Sequence, residues 1–188
     1  MAHGLIIESK IAADNVKTLN KSVVSTTADF DGGNLMALAA PTTVGEDRWT
    51  ATVPAEGAVT GLYVAYNPTN RFIDVDGRLI AGLLADERAY TNIQGRTFDA
   101  FKPKVGDEIS FSIDDLDSAS QALIDSIESG DILEAKAGQK TLTRVAKATG
   151  ATEDTTAFEI EFIHYEEFAK AGIGVDKVPF FRCVCVQE

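Results

Sequence analysis

Apolar and polar residues alternate with a period of two along most of this chain, and that alternation predicts a protein built mainly of β-strands. In "DEISFSID" (107–114), Ile109, Phe111 and Ile113 face one way and Glu108, Ser110, Ser112 and Asp114 the other, as on a half-buried strand. "KSVVSTTADFDGGNLMALAAP" (21–41) reads as a strand, a Gly-Gly turn and a second strand. "RWTATVPAEGAVTGLYVAYNP" (48–68) repeats the theme, with Trp49, Ala51 and Val53 alternating and Asn67-Pro68 ending the second strand. Further strands follow in "DILEAKAG" (131–138), "QKTLTRVAKA" (139–148) and "TAFEIEFIHY" (156–165). In the last of these, Phe158, Ile160 and Phe162 alternate with Glu159, Glu161 and Ile163. The end, "VPFFRCVCVQ" (178–187), is strongly β-prone and predicts a buried closing strand.

One segment changes period. In "DDLDSASQALIDSIESG" (114–130), Leu116, Ala119, Leu123, Ile124 and Ile127 share a helical face, which predicts a short amphipathic helix near 116–129. Asp115 or Ser118 suits its N-cap and Gly130 its C′ position. Residues 1–20 read as an extended, mobile N-terminal arm. Residues 70–104 read as a long irregular segment, broken by the turn "DVDG" (74–77), and long loops often carry function. With no linker, repeat or low-complexity stretch, residues 21–188 form one β-rich domain of sandwich or barrel type.

A chain of 188 residues can bury a sizeable core without staples. Its formal charge of −12 disfavours a nucleic-acid partner, because phosphate binding needs a surplus of Lys and Arg. The charge is blocked: residues 105–135 carry nine acids and no Lys or Arg, and 136–147 carry four bases and no acid. Residues 153–167 hold six acids and no Lys or Arg. Such blocks suit solvated faces, or patches that orient a docking partner. No hydrophobic run approaches about 18 residues, so no membrane span is expected. The start has neither a charged n-region nor an h-region. Cys183 and Cys185 would project from one face of the last strand, where they suit a disulfide poorly and read as small buried apolar residues. Unpaired thiols fit a reducing compartment.

Chemistry-bearing motifs are scarce. The chain has no phosphate loop, zinc signature or nucleophile elbow, and "GIG" (172–174) lacks the rest of a dinucleotide fingerprint. No cofactor is expected. His3 lies in the arm, so His164, beside Glu166 and Glu167, is the one candidate general base, as in a hydrolase. "DFDGG" (29–33) and "DVDG" resemble calcium ligands but stop short of a full loop, so turn chemistry explains them and no metal is expected. Arg71, Arg78, Arg88, Arg96, Lys102 and Lys104 are interleaved with Phe72, Tyr90, Phe98 and Phe101. Arg and aromatic residues are enriched at protein interfaces, which makes Arg71, Arg78, Arg88, Tyr90, Arg96 and Phe98 the candidate partner contacts.

Several phrases taken together resemble a known family. "GLYVAYNP" (61–68), then "ERAYTNIQGRTFDAFKPKVGDEISFSID" (87–114), and a closing strand after "VP" are similar to the head decoration, or capsid-stabilising, proteins of tailed bacteriophages. The matching pieces are Ala65–Pro68, Tyr90–Asp107 and Lys177–Val186. The resemblance implies a non-enzymatic virion component on the outer face of a capsid. It would bind across neighbouring major capsid protein subunits and self-associate, in some members as trimers. Another head or tail module, or a non-viral β-sandwich binding module, fits the same residues. In either reading "KPKVGDEISFSID" is scaffold and "ERAYTNIQGRTFDAF" the expected working surface.

Overall fold

The computed structural model describes residues 2–41, 47–57, 59–69, 72–75, 78–81, 87–169 and 174–188, with the backbone alone at 72–75 and 78–81. The chain is mainly β. In order, the strands are β1 (Ile6–Lys10), β2 (Asn20–Ser25), β3 (Leu35–Ala39), β4 (Trp49–Thr52), β5 (Tyr63–Ala65), β6 (Phe72–Val75) and β7 (Arg78–Ala81). They continue with β8 (Thr97–Phe101), β9 (Glu108–Ser112), β10 (Ile132–Glu134), β11 (Thr143–Val145), β12 (Ala157–Ala169) and β13 (Val175–Gln187).

Two sheets hold all of these strands but β6 and β7. A closed barrel runs β2-β4-β3-β5-β8, and a six-stranded sheet runs β1-β9-β13-β12-β10-β11. The predicted hairpins do not close on themselves. β4 lies between β2 and β3, pairing with β2 in parallel, and β3 lies between β4 and β5. Closing a barrel removes every free edge, which outweighs the local preference of neighbouring strands to pair. β6 and β7 pair antiparallel with each other, Val75 opposite Arg78, so segment 70–104 is less irregular than its sequence suggests.

Barrel and sheet share a core. Leu35, Leu62, Val64 and Phe101 from the barrel meet Ile109, Phe111, Phe158, Ile160, Phe181, Cys183 and Cys185 from the sheet. Phe111 and Phe158 meet edge-on at 4.9 Å between ring centres. Each such ring contributes about 1.5–3 kcal/mol by leaving water. The barrel interior is a second cluster of Val23, Phe30, Met36, Ala51, Ala65, Phe98 and Ala100. As expected, the last strand is central: β13 pairs with both β9 and β12.

The N-terminal segment is not a loose arm. β1 forms the edge of the six-stranded sheet, with Ile6 opposite Phe111 and Ile7 opposite Ser110. Asn67 holds it in both directions: the Ile6 N–H donates to Oδ1 at 2.9 Å, and Nδ2 donates to the Ile6 carbonyl at 2.7 Å. Asp107 accepts from the Ala12 N–H at 2.8 Å, and Ser112 Oγ from the Leu5 N–H at 3.0 Å. Leu5, Ile6, Ile11 and Ala13 are buried. Those few apolar residues look too sparse for an element, yet they suffice where β9 would otherwise present a bare edge.

The expected helix over 116–129 is also shorter than its pattern. Only one turn is α-helical, α1 (Ser118–Gln121), between 3-10 turns at Ile113–Asp115 and Ile124–Ser126. Asp117, rather than Asp115 or Ser118, is the N-cap, accepting from the Ser120 N–H at 2.7 Å. The hydroxyls divert the backbone: Ser126 Oγ donates to the Leu123 carbonyl, and Ser120 Oγ accepts from the Arg144 N–H. Leu116 and Ile127 are buried as predicted, while Leu123 is half-exposed.

Candidate binding surface

The Arg- and aromatic-rich segment folds mostly inward. Tyr90 is 2% exposed and Phe98 7%, the latter stacked on Phe30 at 6.0 Å inside the barrel. Arg88 is also buried, with Nη2 3.1 Å from Asp176 Oδ2 and its guanidinium 5.0 Å above the Phe168 ring. Arg96 is exposed on the turn before β8. Arg71 lies outside the described residues, and of Arg78 only its place at the start of β7 is described. The expectation of one outward patch is therefore corrected for Arg88, Tyr90 and Phe98. Aromatic rings are enriched in interfaces and cores alike, and a planar guanidinium can be buried when it stacks and pairs.

The family-like phrases lie on structural joints. Asn92 Nδ2 donates to the Tyr66 carbonyl at 3.0 Å, and Asn92 exchanges two backbone hydrogen bonds with Phe30. Gly106 turns the chain at φ 94°, and Asp107 accepts from the Lys104 N–H at 2.8 Å while holding Ala12. The open cleft of about 570 Å³ between β1 and the barrel is a seam of the same kind. Its Tyr66 hydroxyl donates to Asn20 Oδ1 at 2.8 Å, and Asn20 donates onward to the Ala13 carbonyl.

Outward-facing apolar side chains are found instead on the ribbon of β12 and β13, Phe162 on one face and Tyr165 and Val175 on the other. Each strand has thirteen residues, and they pair along their whole length. Among the described residues, β12 pairs with β10 only at residues 157–159, and β13 with β9 only at 180–184. The distal part of the ribbon thus has no other described strand beside it. It carries Phe162 at 52% exposure, Tyr165 at 64% and Val175 at 59%.

A bulge between Ile160 and Phe162 produces this surface. Phe158 and Ile160 point into the core as the alternation predicts, but one extra residue shifts the phase. Ile163 then packs toward the core, and Phe162 turns outward. The adjacent pair Phe162-Ile163 was the signal in the sequence, since two apolar neighbours cannot both face one side of a regular strand. Rings follow one another from exposed Phe162 through half-buried His164 to Phe168 and the fully buried Phe180, which packs with Leu5 and Val178. Phe162 and His164 lie 5.8 Å apart, His164 and Phe180 5.8 Å, and Phe168 and Phe180 6.1 Å.

His164, the candidate base, belongs to this row. Its Nε2 is 3.5 Å from Glu166 Oε1, while Nδ1 is buried without a hydrogen-bond partner. Carboxylates border the rings at Glu161, Glu166 and Glu167, and Glu167 lies 3.4 Å from Lys177 Nζ. The ribbon therefore exposes an aromatic ring on each of its faces, Phe162 on one and Tyr165 on the other, with carboxylates beside them.

The other charged features resolve within the chain. The acidic and basic blocks meet each other, Arg144 Nη2 lying 2.7 Å from Asp131 Oδ2 and Lys147 Nζ 3.3 Å from Glu128 Oε2. Burial pushes the Asp131 carboxyl up, but the Glu128 and Lys147 amides and the Arg144 side chain outweigh it and hold it below the usual range. "DFDGG" is a turn whose acids are engaged: Gln94 N donates to Asp29 Oδ1 at 2.7 Å, and His3 Nδ1 lies 2.8 Å from Asp31 Oδ1. Asp76 and Gly77 of "DVDG" fall outside the described residues. Among the described residues, no cluster of three or more potential metal ligands forms, and no helix is long and apolar enough to cross a membrane. Cys183 and Cys185 are free and buried in the shared core, as read from the sequence; burial raises both thiols, Cys185 to about 12.

One buried carboxyl stands out. Asp115 is fully enclosed, with Oδ2 accepting from the Ser112 N–H at 2.9 Å and hydroxyl at 2.8 Å. Its Oδ1 has no hydrogen-bond partner and lies against Gly4 and Gly33. Burial above all, with Asp31 and Asp114 adding to it, pushes its pKa well above the usual range despite the Ser112 bonds. It sits where the N-terminal segment, the Gly32-Gly33 turn and the end of β9 meet, and it belongs to the scaffold.

Compared with models of known protein families, with curated proteins and with solved structures, the chain finds no match in any of the three.

Proposed function

We propose that this chain is a structural virion protein that decorates and stabilises the outer surface of a phage capsid by binding across major capsid protein subunits. The observation that carries the reading is the distal β12–β13 ribbon: a long pair of strands beside which no further strand lies among the described residues, presenting Phe162, Tyr165 and Val175 to solvent beside Glu161, Glu166 and Glu167. Exposed aromatic groups beside charge are the chemistry of a protein contact. The phrases similar to head decoration proteins give the contact its context. From those phrases Asn67, Asn92 and Asp107 brace the fold, which leaves recognition to other surfaces. In this role the molecule lends contact area and makes or breaks no bond.

The test is to mix the purified chain with shells assembled from the cognate major capsid protein. Saturable co-sedimentation with one class of site per lattice position, and a raised melting temperature of the shells, is the expected result. A chain found free in lysates of infected cells and missing from purified particles refutes the reading.

A further inference from the structure

We propose that the open edge of β12 is a self-pairing edge, joining two copies of this chain through an antiparallel β-ladder centred on Tyr165. The inference rests on reading the ribbon as contact area and names what occupies its edge.

The backbone is set up for such a ladder. Tyr165 lies opposite Pro179, which has no N–H to donate. That pair therefore exchanges no hydrogen bonds, and the N–H and C=O of Tyr165 aim away from β13, toward the open side. By the period of two, Ile163 and Glu167 do the same. An independent observation agrees. Ile160 N donates to the Asp131 carbonyl on that side at 2.8 Å, and the single extra residue of the bulge moves the outward phase from even to odd positions. Beyond Ile160, no described strand takes up these groups.

Symmetry and side-chain chemistry then select one register. Two identical strands paired antiparallel are related by a two-fold axis perpendicular to the sheet, which keeps each face on its own side. Residues facing each other must share parity, so one residue lies on the axis. With His164 on the axis, Glu161 faces Glu167 of the second copy and Phe162 faces Glu166. With Glu166 on the axis, two carboxylates face each other directly. With Tyr165 on the axis, Phe162 faces Phe168, His164 faces Glu166, Ile163 faces Glu167, and no acid opposes another. Aromatic pairs and opposite charges stabilise cross-strand positions and like charges destabilise them, so the Tyr165 register wins. It closes about six backbone hydrogen bonds, two at each outward-facing pair. It also joins the two rows of rings into one strip. An exposed, uncapped edge is a ready template for strand addition, and here the added strand is its own copy.

Sedimentation equilibrium of the full chain, up to about 100 µM, tests this, with a dimer expected. Tyr165→Lys sets two ammonium groups together on the axis and should weaken the dimer about tenfold or more. Tyr165 is 64% exposed, so circular dichroism should report an unchanged fold. Independently, Tyr165→Cys should cross-link two copies on mild oxidation, because hydrogen-bonded pairs place Cα atoms about 5.5 Å apart, within disulfide range. Val175→Cys, equally exposed but on the other strand, should not, and the native thiols are buried and do not compete. A monomer at every concentration, a trimer, a dimer indifferent to Tyr165→Lys, or equal cross-linking at Val175 overturns the proposal. A chain that fails here yet saturates capsid shells refutes the self-pairing and leaves the capsid reading standing; failure on shells alone does the reverse.

Discussion

Gly33→Ala tests how tightly the N-terminal half is seated on the β9 corner. Gly33 has φ 88°, where an L-residue other than glycine costs about 1–2 kcal/mol. A Cβ there would also lie 2.6 Å from Asp115 Oδ1 and 2.7 Å from its carboxyl carbon. Asp115 cannot swing aside, since it is fully buried and held by two hydrogen bonds from Ser112. Crowding of this kind costs about 1–3 kcal/mol, and displacing the carboxyl from Ser112 adds about 1 kcal/mol. The expected total is about 3–6 kcal/mol, a large part of a typical domain's stability. Gly138→Ala is the control, with φ 76° and nothing within 4 Å of the added carbon, so only the backbone term should remain. Urea unfolding followed by circular dichroism measures both variants. A double variant, Gly33→Ala with Asp115→Ala, should recover about 1–2 kcal/mol of the difference. Equal losses at Gly33 and Gly138, or no coupling to Asp115, would refute the argument that the turn packs against this carboxyl.

Three further outcomes follow from the same geometry. The Asp115 carboxyl binds its proton more tightly folded than unfolded, so its contribution is full below about pH 4 and is lost as pH rises through its raised folded-state pKa. Asp115→Asn should therefore gain stability over the parent chain as pH increases in urea titrations, and a constant difference from pH 4 upward would contradict this. Cys183 and Cys185, buried and with raised thiol pKa values, should react with a thiol reagent only at the rate of unfolding; rapid labelling in native buffer would place them elsewhere. Cutting the chain before Val178 removes the buried Phe180, Phe181, Cys183 and Cys185 from a central strand and should abolish soluble, cooperatively folding protein. A truncated chain that melts cooperatively would show that β13 is dispensable.

Much of the scaffold is legible in the residues, and the reasons are local. Strict alternation in "DEISFSID" marks β9, because a strand with one wet face has no other way to satisfy both sides. The two cysteines read as core because they share a face of a β-prone terminal strand. Other features were misread for reasons equally physical. The stretch 116–129 carries a helical period, but its serine hydroxyls and the Asp117 cap bend it into separate turns. Residues 1–20 look too polar for an element, yet Asn67, Asp107 and Ser112 supply the bonds that make a strand of Ile6–Lys10. The exposed ribbon is the least legible feature in the residues. Tyr90, Phe98 and Arg88 have the composition of an interface, but composition does not distinguish a ring that closes a barrel from one that meets a partner.

By itself, the sequence determined the β-rich class, the acidic surface and the identity of most core residues, because patterning at a period of two and net charge do not depend on which strands meet. Tertiary structure alone decided that β4 separates β2 from β3, that the first strand covers β9, and that a single bulge turns Phe162 outward. Those outcomes depend on pairings between residues distant in the chain, where loop closure and edge coverage compete with local preference, and a one-residue shift exchanges the faces of everything beyond it.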